Sequence, residues 1–128
     1  MLEKYPKEVK LVHKFLPHNG EFSRKAAIAA MAADEQGKFW EFHDMLLDNQ
    51  GGLDDAKILE MAATLKLDVD RFKKKMLDPA TEAVIKKDLD DVARLGIHWT
   101  PEVYINGMVF NRRALPDFVS AVEGELSK

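Results

Sequence analysis

A continuous block of helical patterns, placed between two shorter β patterns, limits the fold of this chain more than any other feature. Residues 23–96 predict five helices in succession. The alanine-rich run Ala26–Ala33 favours the first helix, Asp68 marks the start of a short fourth, and apolar side chains at helical spacing indicate the other three. Residues 8–16 alternate between apolar and polar side chains and predict a strand before this block. The order predicts one α/β domain over residues 1–128, with a helical insertion at residues 22–96.

The segment after the block predicts a β-hairpin and a last helix. Val103–Ile105 and Met108–Phe110 flank Asn106 and Gly107, and both of these turn residues tolerate positive φ. That pattern favours a type I′ turn between antiparallel strands. Apolar side chains then recur at helical spacing from Leu115 onward, which predicts a final helix.

The starts of the helices are marked by residues that cap helices. Ser23, Asp54, Asp68 and Asp78 each precede a helical pattern and are predicted N-caps, because their side-chain oxygens accept a hydrogen bond from a first-turn N–H. Pro79 supports the last of these starts, since the first helical position loses no hydrogen bond to proline.

Two clusters inside the helical block have structural interpretations. The aromatic residues Phe39, Trp40 and Phe42 are predicted to lie in the core. A second cluster lacks the spacing of a calcium-binding loop and is predicted to be solvated on a helix face: Asp88, Asp90 and Asp91.

The charge balance argues against two large classes of partner. The chain has a net charge of −3 at pH 7 and a pI near 5.8, whereas phosphate backbones and anionic lipid attract clustered Lys and Arg. The one basic run, Lys73 to Lys75, is bordered by aspartates and is predicted to be a solvated helix face. No apolar stretch approaches the roughly 20 residues that cross a bilayer. We therefore predict no nucleic-acid partner and no membrane association.

The chain contains no cysteine, and this absence excludes thiol chemistry from the chain itself. Disulfides, thiolate nucleophiles, iron–sulfur ligation and Cys-containing zinc sites all need that side chain. The histidines lack a metal-binding spacing, and no serine lies in the Gly-X-Ser-X-Gly motif of serine hydrolases. No glycine-rich phosphate-binding loop follows a strand. No catalytic residue, metal site or cofactor is predicted.

Several segments, taken in order, resemble the DsbA-type thioredoxin-fold thiol–disulfide oxidoreductases of bacteria. The likeness covers nearly the whole chain. The segments that carry it are Tyr5–Val12, Phe22–Ala27, Glu35–Asp44, Asp78–Glu82, Leu95–Gly96, Thr100–Pro101 and Ile105–Gly107.

The resemblance implies a thioredoxin-like fold with a DsbA-type helical insertion that is incomplete at its N-terminus. Members of the family begin with a strand and a helix that opens with Cys-X-X-Cys, and both precede the segment that starts here at Tyr5. Met1–Lys4 would then be the tail of that helix, and the missing strand would lie between residues 8–16 and residues 102–106. Backbone N–H and C=O groups that lack hydrogen bonds in a buried sheet destabilise the fold. We expect either that residues 8–16 shift to pair with the hairpin, or that a second copy fills the gap in a homodimer formed by strand swapping or pairing.

The resemblance also implies a peptide-binding loop before the hairpin. The family has a Thr-Pro pair with a cis peptide bond at the position of Thr100 and Pro101, and this loop pairs with an extended peptide or protein substrate. His98 and Trp99 adjoin the pair and complete the candidate site. The family usually has glycine at the position of Trp99 and a small or hydroxyl residue at that of Glu102, so the chain departs from the pattern at both.

Three functions are compatible with these features. The first is the C-terminal part of a DsbA-like thiol–disulfide oxidoreductase, redox-inactive on its own because it has no cysteine. The second is a standalone, redox-dead thioredoxin-like module that binds a peptide or a partner chain through the Thr-Pro loop and an exposed sheet edge. The third, favoured least, is an enzyme that uses His98 and nearby acids. The sequence gives no compartment, and the resemblance implies the bacterial periplasm or cell envelope.

Overall fold

The computed structural model of the protein describes residues 2–16, 21–97 and 102–128. Helices and one two-stranded sheet lie in these ranges, with five helices before the sheet and one after it. Their bounds are α1 Glu21–Asp34, α2 Phe39–Asp48, α3 Asp55–Thr64, α4 Val69–Leu77, α5 Pro79–Leu95, β1 Val103–Ile105, β2 Met108–Phe110 and α6 Leu115–Leu126. This is the predicted order of elements, except that no strand precedes α1 in the described residues.

The chain divides into two compact units. The helical unit comprises Phe15–Arg94 and holds α1 to α4 and nearly all of α5. The terminal unit comprises Met1–Lys14 together with Leu95–Lys128 and holds β1, β2 and α6. The two units differ in how much apolar surface they bury.

The helical unit has a well-packed apolar core. Its largest fully buried apolar side chains come from α2, α3, α4 and α5, and they are Phe42, Ile58, Met61, Phe72 and Ile85. The ring centroids of Phe42 and Phe72 lie 5.4 Å apart. Buried alanines line α1, where their small side chains let α2 and α4 pack closely. The helical spacing of the apolar residues is thus confirmed as the buried face of these helices.

Three of the four predicted N-caps are confirmed. Asp54 and Asp68 each accept a hydrogen bond from the N–H three residues later, at 2.7 and 3.1 Å. Asp78 accepts one from the N–H two residues later, at 2.9 Å. The prediction for Ser23 is wrong, because α1 already begins at Glu21 and Ser23 lies in its first turn. A serine inside the first turn cannot be the N-cap, because the N-cap is the residue immediately before the first helical one.

The aromatic cluster on α2 divides between core and surface. Phe42 is fully buried and Phe39 half-buried, but Trp40 is 42% exposed, so its predicted core position is wrong. Phe39, Phe42 and Leu46 repeat on one face of the helix, and Trp40 is rotated about 100° from Phe39. Trp40 lies beside the ring of His43, with the two centroids 5.5 Å apart.

The acidic cluster on α5 is largely buried rather than solvated. Asp88 and Asp91 are each 8% exposed, whereas Asp90 is exposed as predicted. Asp88 accepts a hydrogen bond from the backbone N–H of Phe15 at 3.0 Å, and Asp91 pairs with Arg94 on the same helix. The predictions for Asp88 and Asp91 are therefore wrong. The donor to Asp88 lies 73 residues away in the sequence, which helical spacing does not reveal.

The terminal unit contains the predicted hairpin. β1 and β2 pair antiparallel, with Ile105 opposite Met108. Asn106 and Gly107 have φ angles of 47° and 83°, as a type I′ turn requires, so this prediction is confirmed. Among the described residues, Val122 of α6 is the only buried hydrophobic side chain of this unit.

The predicted strand at residues 8–16 is absent from the described chain. Residues 9–16 have irregular backbone, and the sheet in the described ranges consists of β1 and β2 alone. The predicted shift of this segment onto the hairpin is therefore wrong. An alternating pattern becomes a strand only where a neighbouring strand completes its backbone hydrogen bonds.

Candidate functional site

The predicted peptide-binding loop lies outside the described residues. His98, Trp99, Thr100 and Pro101 all fall there, so the cis bond and the site that these residues would form stay predictions. Glu102 is the first described residue after the loop and is half-buried. It leads directly into β1, whose geometry defines the candidate site.

β1 presents an unpaired backbone edge. In a hairpin with a two-residue turn, the residues that close the turn exchange both backbone hydrogen bonds, and bonded and non-bonded pairs then alternate. Ile105 and Met108 close this turn, so Tyr104 and Val109 form the non-bonded pair. The N–H and C=O of Tyr104 therefore point away from β2, and no other strand in the described ranges adjoins β1. We call this backbone the open edge.

Tyr104 also carries the polar side chain of β1. Its hydroxyl donates a hydrogen bond to Oε1 of Glu102 at 3.3 Å. Partial burial raises the pKa of the Tyr104 hydroxyl, and the negative charge of Glu102 raises it further. Tyr104 is therefore a neutral hydrogen-bond donor at physiological pH.

Polar contacts join α6 to the turn of the hairpin and to the first residues of the chain. In the turn of the hairpin, Nδ2 of Asn106 donates to Oε2 of Glu125 at 2.9 Å. Nζ of Lys4 and the hydroxyl of Tyr5 donate to Oε1 of Glu123 at 2.8 and 2.5 Å. These two hydrogen bonds hold the pKa of the Glu123 carboxyl below its usual range. The contacts fix the first turn of the chain beside α6.

The terminal unit leaves much of its apolar surface uncovered. Eight of the twelve exposed large hydrophobic side chains in the described ranges belong to it, and they are Leu2, Leu11, Val12, Leu95, Met108, Val109, Leu115 and Leu126. The helical unit, by contrast, holds fourteen of the fifteen buried hydrophobic side chains found in those ranges. An isolated hairpin is marginally stable at best and needs a third strand or a helix on its apolar face. The terminal unit therefore lacks a strand or helix that covers these apolar side chains.

The described residues offer few groups for catalysis. No three His, Asp or Glu side chains in this part of the chain lie close enough to hold a metal ion, and the full sequence has no cysteine. None of the described helices is long and apolar enough to cross a membrane. The terminal unit presents backbone hydrogen-bonding groups and apolar surface, which are suited to binding another polypeptide segment.

Sequence reasoning overlooked the position of Tyr104. The turn type sets the register of the hairpin, and the register decides which residue faces the open edge. Counting outward from Asn106 and Gly107 identifies Tyr104 without a structure. The contacts of Glu123 with Lys4 and Tyr5, and of Glu125 with Asn106, had no comparable signal, because these partners lie far away in the sequence.

Comparison with known proteins places the chain in one family. The DSBA-like thioredoxin domain matches residues 2–123. The chain belongs to this family. The thioredoxin-like DsbA fold expected from the resemblance is confirmed by this match and by two solved structures.

Both structures share the fold over most of this chain. The thiol-disulfide exchange protein alpha-DsbA2 from Wolbachia pipientis has a TM-score of 0.79 at 27% identity, over 88% of this chain and 63% of its own. A thioredoxin-like oxidoreductase from Silicibacter pomeroyi has a TM-score of 0.73 at 26% identity, over 91% of this chain and 68% of its own.

Curated relatives are similar over parts of longer sequences. The probable disulfide bond formation protein D of Bacillus cereus is 32% identical over 94% of this chain and 60% of its own length. The Na(+)/H(+) antiporter NhaA 1 of Salinispora arenicola is 41% identical over 67% of this chain and 13% of its own length. The DSBA-like chain thus spans 13% to 60% of the length of these two relatives.

Proposed function

We propose that this chain is the C-terminal part of a DsbA-like thiol–disulfide oxidoreductase, whose Cys-X-X-Cys comes from a strand and helix that precede Tyr5. On its own the chain is redox-inactive, since thiol–disulfide exchange begins with attack by a thiolate and no cysteine is present. In the complete protein, the loop of Thr100 and Pro101, with Trp99 and His98, contacts the peptide substrate.

The observation that best supports this proposal is the open edge of β1, together with the exposed apolar side chains of the terminal unit. Native proteins pair or cover strand edges and contiguous apolar surface, because both promote association when exposed. A strand on the open edge would complete the hydrogen bonds of Tyr104, and a helix after it would cover exposed apolar side chains of the unit. A strand followed by a helix is also what the resemblance puts before Tyr5. This one segment would therefore cover the exposed edge and apolar side chains of the terminal unit, and it would also supply the cysteines that the chain lacks.

The lengths of the relatives also support the proposal. The chain matches 60% of the Bacillus cereus protein and 63% of the Wolbachia pipientis structure, so similar sequence and structure occur within longer polypeptides. The family resemblance also favours the bacterial periplasm or cell envelope for the complete protein, where disulfide exchange is useful.

Redox activity should depend entirely on the added segment. We expect the 128-residue chain to reduce insulin no faster than buffer containing dithiothreitol. The same chain extended by a family strand, Cys-X-X-Cys and helix should reduce insulin, because only the extension supplies a thiolate. The turbidity of precipitating insulin measures the rate.

A second extension, with both cysteines replaced by serine, separates folding from chemistry. It should fold as the active extension does, as judged by circular dichroism, yet stay at the buffer rate. Turnover by the chain without an extension would overturn the redox assignment. An extended chain that folds but leaves insulin unreduced would contradict the proposal that the segment completes the site.

The open edge also favours a second function, that of a standalone module which binds an extended peptide by adding a strand to β1. Titration with such a peptide would then shift the amide resonances of residues 102–105. The upstream coding sequence distinguishes the two functions. An in-frame Cys-X-X-Cys within the preceding few dozen codons favours the oxidoreductase, and a stop codon there favours the module.

A second copy of the chain is a further candidate occupant of the open edge. We expect the chain alone to form a homodimer at high concentration, by pairing or exchanging strands at this edge. Tyr104→Pro should suppress the dimer, because proline removes the N–H that points outward. Val109→Pro is the matched control, since it removes an N–H at the opposite edge of the hairpin.

Light scattering coupled to size exclusion measures this self-association. The wild-type chain and Val109→Pro should elute as dimers, and Tyr104→Pro as a monomer. A wild-type monomer of 14.5 kDa at high concentration, or equal effects of the two substitutions, would show that the open edge does not drive dimerisation.

A further inference from the structure

The helical unit carries a groove that the proposed redox function does not use. The groove lies between α1, α3 and α4 and has a volume of about 500 Å³, which is within the range of small-ligand sites. Its apolar lining consists of Ile28, Ile58, Leu59, Met76 and Leu77. Such a lining favours a hydrocarbon ligand over a polar one, because moving apolar surface out of water lowers the free energy.

Leu77 marks the uncovered side of this groove. It is 84% exposed, more than any other large hydrophobic side chain in the described ranges. A single exposed leucine is ordinary on a protein surface. Leu77, however, adjoins the partly buried Met76 and Leu59 along one groove, so a bound hydrocarbon would contact all three.

The rim of the groove is positively charged. Arg24, Lys25 and Lys73 border it, together with one acid, Asp55. Lys25 pairs with Asp55 at 2.8 Å, and Arg24 pairs with Glu82, so these two cations already have acidic partners. Lys73 is exposed and has no acidic partner in the described part of the chain. Its ammonium group can therefore receive one anionic group at the edge of an apolar groove.

We propose that this groove binds a free, single-chain anionic amphiphile of the fatty-acid class. The hydrocarbon chain lies along Ile28, Leu59 and Leu77, and the carboxylate accepts a hydrogen bond from Nζ of Lys73. The charge of the rim selects an anion, and the size of the groove selects a small molecule. A protein partner would need a contact surface of roughly 800 Å² on each side.

Decanoate, kept below its micelle concentration, is a suitable probe, and 1-decanol is the uncharged control of equal chain length. We expect saturable methyl shifts at Ile28, Leu59 and Met76 in NMR titrations of the full chain with decanoate. Lys73→Gln should weaken decanoate binding by about fivefold, the size expected for one exposed charge pair. Lys74→Gln is the matched control and should leave binding unchanged, because Lys74 is exposed on the same helix but does not line the groove.

Leu77→Ala tests the apolar part of the site. It should weaken decanoate and decanol alike without affecting the fold, since Leu77 is already exposed. Three results would overturn the proposal: equal affinity for decanol and decanoate, equal effects of the two lysine substitutions, or shifts confined to the terminal unit. Shifts at the groove that grow with protein concentration alone would indicate that a second copy covers it, which would also overturn the proposal.

Discussion

Replacing Phe42 by alanine should lower the free energy of unfolding of the helical unit by about 3–5 kcal/mol. Phe42 is fully buried, and its ring lies 5.4 Å from that of Phe72. Truncation removes these apolar contacts and leaves a cavity that the surrounding helices only partly close. Urea unfolding followed by far-ultraviolet circular dichroism measures the change.

Leu47→Ala is the control on the same helix. Leu47 is 54% exposed, so its truncation should change the free energy of unfolding by no more than about 0.5 kcal/mol. If Phe42→Ala does not fold, Phe42→Leu should still cost about 1 kcal/mol. Equal losses at positions 42 and 47 would show that the core is not centred on this face of α2.

Replacing Asp88 by alanine should cost about 1–3 kcal/mol, the usual loss when a buried donor is left without its partner. The carboxylate is 8% exposed and accepts the backbone N–H of Phe15, which is itself buried. Alanine offers no acceptor, whereas Asp88→Asn keeps one oxygen and should lose less. Urea unfolding again gives the free energy, and hydrogen exchange of the Phe15 amide reports the contact directly.

Asp90→Ala is the matched control for this contact. Asp90 lies on the same helix but is exposed, so the substitution should have little effect on stability. The Phe15 amide should exchange faster in Asp88→Ala and stay unchanged in Asp90→Ala. Equal stability losses in the two variants, with an unchanged Phe15 amide in both, would show that Asp88 does not hold this segment.

The helices and the hairpin could be predicted from the sequence because their determinants are local. A spacing of three and four puts Phe42 and Leu46 on one buried face. Asp54 caps α3 through an N–H three residues away. The turn at Asn106 and Gly107 sets the register of β1 and β2, and with it the residue that faces the open edge.

The remaining features depend on partners that are distant in the sequence. Asp88 looks like any exposed acid on a helix until Phe15 is placed beside it. Residues 8–16 have the alternation of a strand, but alternation does not reveal whether a neighbouring strand is present. The candidate loop at residues 98–101 rests on family resemblance, because neither spacing nor composition distinguishes it from an ordinary loop.

Hydrogen exchange of the Tyr104 amide tests most directly whether the terminal unit is completed by a preceding strand. We predict rapid exchange in the monomeric 128-residue chain at low concentration, and slow exchange once the strand, Cys-X-X-Cys and helix are attached. The Ile105 amide is the internal control, since the hairpin pairs it with Met108 in either form. A Tyr104 amide that is already protected in the monomer, or that stays unprotected in the folded, extended chain, would contradict the proposal.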